Sequence, residues 1–220
     1  MRIIEPYIEI PVFDAERKMR KIEGAGRTCY KSEGAITPLS YRGFIEKIIK
    51  SGHESVLEHE KLTARFIIDR GVSHEVIRHR IAAYSQESTR YCNYAGDKFG
   101  NEITVIKPWF FEGKPLAMNH WKTACKMAEE YYFALLNAGC LAQEARSVLP
   151  NSLKTEIVVT YNLREWRHFF RLRAAKAAHP QMQQVAIPLL LFMQRNLAPV
   201  FQDIGFNQDF PREHYAEIII

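Results

Sequence analysis

TEIVVTYNLREWRHFFRLR, residues 155–173, changes its period half-way along, and that change decides the fold class. TEIVVTYN (155–162) is β-branched and reads as a strand. From Leu163 the apolar residues recur at helical spacing, so a helix is expected over about 163–178. At about 100° per residue, Leu163, Trp166, Phe169 and Phe170 fall on one arc, with Ala174 and Ala177 beside them. Arg164, Arg167, His168 and Arg171 fall on the neighbouring arc. Arg173 does not join them and projects from the apolar side, close to Trp166 and Phe170. A guanidinium there cannot lose its proton, so it requires a carboxylate, a carbonyl cluster or a ligand. An internal salt bridge or a snorkelling stem is the structural alternative.

The same alternation continues outward along the chain. Residues 2–12 read as a strand, and GAGRTCYKSEGAIT (24–37) as a glycine-rich loop. Thr37 and Pro38 read as the cap and first position of a helix over 38–51, with Phe44, Ile45, Ile48 and Ile49 inward. KLTARFIID (61–69) has period two, with Leu62, Ala64, Phe66 and Ile68 on one face. Gly71 breaks that strand, and Ser73 is expected to cap a short helix carrying Glu75 through Arg80. EITVIKPWF (102–110) reads as a further strand, 115–138 as the longest helix, AQEARSVLP as a short one stopped at Pro150, and 181–202 as the last. There is no internal repeat, linker or low-complexity segment. The pattern is α+β, in a single domain over 1–220.

The chain has 220 residues and 47% hydrophobic composition, enough to bury a sizeable core. A formal charge of +5 favours anionic partners without separating nucleic acid from a phosphorylated small molecule. Cys29, Cys92, Cys125 and Cys140 are scattered, with no C-x-x-C, and suggest neither a zinc site nor a disulfide framework. MRIIEPYIEI has no long apolar region, and VAIPLLLFM (185–193) is too short to span a bilayer. A cytoplasmic protein without a membrane role is expected.

Two further stretches concentrate polar chemistry. GHESVLEHE (52–60) carries two histidines and three glutamates, but His53 and His59 are six apart and share no helix face, so no metal site is expected. RHRIAAYSQESTRY (78–91) places Arg78, His79 and Arg80 side by side, then Ser88 and Arg90. Ser88 and the backbone N–H groups around it could cradle a phosphate, with Arg90 supplying charge. No nucleophilic triad and no glycine-rich phosphate motif is present.

These residues resemble a known family. Arg78-His79-Arg80 followed by Ser88 is similar to the R-H-R-x7-S signature of flavin-dependent thymidylate synthases. GHESVLEH (52–59), EARSVLP (144–150) and NLREWRHFFRLR (162–173) resemble that family's other segments, in its order and spacing. The resemblance implies methylation of dUMP to dTMP, with methylenetetrahydrofolate as carbon donor, FAD carrying electrons from NADPH, and tetrahydrofolate released. It also implies a central mixed or antiparallel sheet flanked by long helices, of the thymidylate synthase-complementing type. The assembly it implies is a homotetramer whose active sites are shared between chains, with no nucleic-acid partner. His53, Ser55, Glu58, Arg78, His79, Arg80, Asn162, Arg164 and His168 match flavin-region positions. Glu75, Arg78, Gln86, Glu87, Ser88, Thr89, Arg90, Arg146 and Arg173 match nucleotide positions. Arg173 resembles the arginine that stabilises the N3-ionised uracil, which would account for a cation on an apolar arc. Glu75, Ser85-Gln86 and His168 depart from the commonest residues of the family pattern. The rivals are a nucleic-acid-binding protein using 162–173 as its contact helix, and a phosphate-binding transferase without flavin.

Overall fold

Pro6 divides the expected first strand. It lacks the N–H that a ladder requires, and the chain forms β1 (Arg2–Ile4) and β2 (Tyr7–Glu9) on either side of it. The computed structural model describes residues 1–96 and 99–220. The elements that follow are α1 (Ala15–Tyr30), α2 (Ser40–Lys50), β3 (Lys61–Asp69), α3 (Arg70–Val76), β4 (Ala82–Gln86) and β5 (Thr104–Ile106). After them come α4 (Pro115–Asn137), α5 (Ala142–Ala145), β6 (Lys154–Asn162), α6 (Leu163–Arg173), α7 (Pro180–Asn196), α8 (Ala198–Phe201) and β7 (Glu217–Ile219). β1 pairs in parallel with β5, Ile3 opposite Val105, while the other strands form a five-stranded sheet in the order β4-β6-β3-β2-β7. The fold class is α+β.

The chain divides into two compact units: Met1–Tyr7, Arg65–Arg78 and Ser85–Val158 make the first, and Ile8–Ala64, His79–Tyr84 and Val159–Ile220 the second. Neither is a continuous stretch, so no single position in the sequence separates them.

The first unit is built on Tyr94, Ile103, Val105, Cys125, Tyr132 and Leu153, all buried, with Trp121 packed against them. Trp121 donates its indole N–H to Ser152 Oγ at 2.9 Å, which satisfies its polar edge. Asp69, not Ser73, caps α3: its Oδ1 accepts from Val72 N at 2.7 Å. The helix therefore starts four residues earlier than the sequence suggests and ends at Val76. Arg78, His79 and Arg80 consequently lie past the helix end, in the connection to β4.

In the second unit, the expected glycine-rich loop is the end of a helix. Asp14 caps α1, and its turns run through Gly24 and Gly26 to Tyr30. A Cβ on Gly26 would stand 2.4 Å from Phe44 Cζ, so this glycine serves close packing of an α2 ring against α1 rather than a turn. α2 begins at Ser40 and buries Tyr41, Phe44, Ile45 and Ile48, whereas Ile49 is only half-buried. β3 buries Leu62 and Ala64 as its alternation requires; in the first unit, Phe66 and Ile68 continue the pattern. Leu163, Trp166, Phe169, Phe170 and Ala174 are all fully buried. Tyr161, Trp166, Phe170 and Phe201 form a chain of ring contacts 4.6 to 5.6 Å apart.

One expectation for this region needs correction. α6 stops at Arg173 and not near 178, because His179-Pro180 restarts a helix, and Ala177 is exposed. Arg167, on the same arc as the exposed Arg164, is fully buried. Pro188 lies inside α7, where it cannot donate to the carbonyl of Gln184. Ala216 N supplies that bond at 3.0 Å, immediately before β7.

Candidate active site

In the first unit the 85–92 segment is held from beneath. Gln86 donates to Ser73 Oγ at 2.9 Å and to Thr155 Oγ1 at 3.1 Å, which uses both its amide hydrogens. Glu87 pairs with Lys154 at 2.9 Å and accepts from the Tyr94 hydroxyl at 3.1 Å. These two expected nucleotide residues are thus engaged inside the unit, and of their side chains only acceptor capacity remains. Glu75 is half-buried in the last turn of α3.

Beyond them the chain turns tightly. Ser88 Oγ accepts from Arg90 N at 3.3 Å, and Ser88 O accepts from the N–H groups of Tyr91 and Cys92. The backbone cradle expected around Ser88 is therefore largely consumed by the turn itself. What the turn presents is side chains. Arg146 Nη1 donates to Thr89 Oγ1 at 3.2 Å, bringing the EARSVLP segment to the signature segment. Arg78, Arg90 and Arg146 are exposed, and none has a carboxylate partner among the described residues. Cations without carboxylate partners, beside two hydroxyls, suit a phosphate dianion.

In the second unit α6 organises the other expected residues. Asn162 caps it, its Oδ1 accepting from Glu165 N at 2.8 Å, which leaves its amide N–H groups for a ligand. Arg164 pairs with Glu58 at 2.6 Å, both exposed. Arg167 is held by both oxygens of Asp203 at 2.6 Å, by Glu54 Oε1 at 3.0 Å and by the Val200 carbonyl. Arg171 also reaches Glu54, at 2.9 Å. Burial opposes ionisation of Glu54, but the two arginine hydrogen bonds outweigh it and hold its carboxyl below the usual range. Glu54 lies between His53 and Ser55, so this network ties the GHES turn to α6.

His79, expected at the flavin, is buried. Its Nδ1 lies 2.9 Å from Glu165 Oε1, and its Nε2 accepts from Arg173 Nε at 3.2 Å. Tyr161, His168 and Phe169 surround the ring at 5.9, 5.3 and 5.1 Å. Burial pushes the imidazole pKa down; Glu165 opposes that shift and Arg173 adds to it. Arg80, in the same unit, is exposed and has no carboxylate partner among the described residues. Arg173 is half-buried at the end of α6, with its Nε–H directed at His79 Nε2.

The candidate ligand atoms of His79, Glu165 and His168 lie within 4.8 Å of one another, a spacing a metal ion could use. Both ring nitrogens of His79 are already committed, and the Arg173 guanidinium would repel a cation. The arrangement serves anion chemistry better.

His53 is exposed and its Nδ1 meets the Tyr30 hydroxyl at 3.1 Å; Ser55 is exposed two residues on. Beside His53 lies a cavity of about 570 Å³ lined by Arg27, Tyr30, Ser40, Phe44 and Lys47, among others. Its size, ring faces and cations suit a planar, phosphorylated ligand such as a flavin nucleotide.

Glu165, Glu54 and Asp203 were missed by sequence reasoning. N-x-x-E over 162–165 carries the signal of a helix start with an acidic third residue, but that signal points to capping, not to a histidine 86 positions away.

Comparison with known proteins accords with this geometry. Residues 12–200 match the family described as thymidylate synthase complementing protein. The flavin-dependent thymidylate synthase of Geobacter sulfurreducens is 35% identical over 188 residues, 82% of this chain and 79% of that protein. The one from Mycolicibacterium gilvum is 34% identical over 208 residues, 86% of this chain and 81% of that protein. A UMP/dUMP methylase from Streptomyces cacaoi, crystallised with 5-Br dUMP, has the same fold: its TM-score is 0.75 at 22% identity, covering 96% of this chain and 100% of that one. The chain belongs to the thymidylate synthase complementing protein family, that of the flavin-dependent thymidylate synthases.

Proposed function

We propose that this protein methylates dUMP to dTMP, taking the carbon from methylenetetrahydrofolate and the reducing equivalents from NADPH, with FAD as the bound carrier. The observation that carries the reading is the contrast among the arginines. Arg164, Arg167 and Arg171 are neutralised by Glu58, Glu54 and Asp203, while Arg78, Arg80, Arg90 and Arg146, all on the signature segments, have no carboxylate partner among the described residues. Uncompensated charge at these positions suits phosphorylated ligands.

We assign Arg78, Ser88, Thr89, Arg90 and Arg146 to the nucleotide phosphate and sugar, with Glu75, Gln86 and Glu87 as acceptors around them. Arg173 meets the pyrimidine and stabilises negative charge that develops on its ring. His53, Ser55, Glu58, Arg78, His79, Arg80, Asn162, Arg164 and His168 are assigned to the flavin. When bound, FAD supplies the two electrons that turn a methylene into a methyl group, which is why tetrahydrofolate leaves unoxidised. The protein orients the groups and needs no nucleophile of its own.

The same reading makes the protein a cytoplasmic homotetramer with sites shared between copies. Ile81 and Tyr91, 68% and 79% exposed on the signature segment, are apolar groups that a neighbouring copy would cover. No helix among the described residues is long and apolar enough to cross a membrane. The nucleic-acid rival loses its contact helix: Trp166, Phe169 and Phe170 are buried, and Arg167 and Arg171 are ion-paired. The test is turnover of dUMP in the complete mixture and with each component omitted. dTMP should form only when FAD, NADPH and methylenetetrahydrofolate are all present. Formation of dTMP by flavin-free protein, or none in the complete mixture, overturns the proposal.

A further inference from the structure

We propose that Glu165 is a positioning residue for this reaction: through the imidazole of His79 it fixes the orientation of the Arg173 guanidinium. The inference rests on the proposed role of Arg173 at the pyrimidine. Its first step is a matter of hydrogen count. The Arg173 guanidinium keeps its proton at any working pH, so its Nε–H can only donate. The partner, His79 Nε2, lies 3.2 Å away and must offer a lone pair. A neutral imidazole with a bare Nε2 carries its hydrogen on Nδ1, and Nδ1 lies 2.9 Å from Glu165 Oε1. Glu165 therefore selects the one tautomer able to receive Arg173.

Glu165 is itself well fixed. Its backbone N–H is held by Asn162 Oδ1, and the residue is 8% exposed. On the other side, the Tyr84 hydroxyl donates to the His79 carbonyl and meets the Tyr161 hydroxyl at 2.8 Å. A hydrogen bond at Nε sets the plane of the guanidinium, and with it the direction of its terminal amino groups. The chain Glu165–His79–Arg173 thus carries the rigidity of the start of α6 to a cation at its end.

Among the described residues, the titratable and charged groups against the imidazole are Glu165, His168 and Arg173 of α6 and Tyr161 of β6; the Tyr84 hydroxyl of β4 meets the His79 carbonyl. Below the His79 pKa, Nε2 gains a hydrogen and can no longer accept from Arg173 Nε, so activity should fall on the acid side. The Glu165 charge favours the imidazolium, so removing that charge should move the acid limb to lower pH.

The test uses Glu165→Leu and Glu165→Gln in the flavin-loaded enzyme. In Glu165→Leu the ring can place its hydrogen on either nitrogen, and plateau kcat should fall about tenfold, the scale of one lost hydrogen-bond bias, with flavin content retained. Glu165→Gln keeps a carbonyl for Nδ1–H, so it should restore most of that loss while its acid limb shifts down. Nitrogen-15 spectra of His79, recorded with and without flavin, should show hydrogen on Nδ1 in the wild type and a mixture in Glu165→Leu. Wild-type protein with its hydrogen on Nε2, an unmoved acid limb in Glu165→Gln, or full plateau kcat in flavin-loaded Glu165→Leu overturns the proposal. Should Glu165→Leu not fold, the other two readouts decide. The tautomer is read without turnover, so wild-type protein that makes no dTMP while showing hydrogen on Nδ1 refutes the proposed reaction and not this geometry.

Discussion

Replacing Arg167 by leucine removes the buried cation that Glu54 and Asp203 share in the second unit. Arg167 is fully buried and contacts Asp203 through two bonds of 2.6 Å and Glu54 through one of 3.0 Å. Breaking a buried pair by deleting one partner costs about 3–5 kcal/mol, because the remaining charge is stranded. Here the carboxylates are partly open, with Glu54 and Asp203 side chains 14% and 44% exposed, and Glu54 keeps Arg171. The low end, about 3 kcal/mol, is expected, which for a chain of this length lowers Tm by about 6–12 °C. The loss should depend on pH. Hydrogen bonds from Arg167 hold Asp203 low, and those from Arg167 and Arg171, against burial, hold Glu54 low. A depressed carboxylate pKa contributes stability above the unfolded values of 4.5 and 3.8, and that contribution is lost as pH falls through the folded values. The gap between wild type and Arg167→Leu should therefore be widest at neutral pH and narrow in acid. Thermal unfolding followed by circular dichroism across that range reads both features. A Tm loss under about 2 °C at neutral pH, or a gap that does not change with pH, would refute the reasoning.

Arg173→Ala should leave the fold and FAD content nearly unchanged while costing about 2–4 kcal/mol of transition-state stabilisation, measured as kcat/KM for dUMP. Arg173→Lys should recover little, since an ammonium lacks the planar fork, and NADPH should still reduce the flavin of both variants without dUMP. An Arg173→Ala protein that is empty of FAD yet turns over normally per flavin would make Arg173 a structural partner instead. Light scattering should give the mass of four chains, and a stable monomer retaining FAD and activity would contradict the shared-site assembly.

What the sequence made legible was whatever depends on near neighbours. The apolar arc of α6 was readable because burial repeats with the helix period, and Leu62 through Ile68 because a strand alternates. What it hid depends on distant partners. Arg167 lies beside Arg164 on a helical projection, and nothing local reveals that Glu54 and Asp203 close over it. Gly24 and Gly26 resemble loop punctuation, and the Phe44 ring that requires Gly26 comes from the next helix. Ser73 and Asp69 are both good caps; the geometry at Val72 N chose Asp69, which moved Arg78–Arg80 out of the helix. The signature residues were identifiable by type, but whether Gln86 and Glu87 face a ligand or their own unit depended on Ser73, Thr155 and Lys154.

The central claim is that this protein couples flavin oxidation to methylation of dUMP. The most direct measurement is a single turnover without oxygen: the bound flavin is reduced with a limiting amount of NADPH, then dUMP and carbon-13-labelled methylenetetrahydrofolate are added together. The account predicts that the flavin colour returns, that one dTMP forms per flavin reoxidised, and that the label lies in its methyl group. A flavin that stays reduced, or dTMP that appears without reoxidation of the flavin, would contradict it.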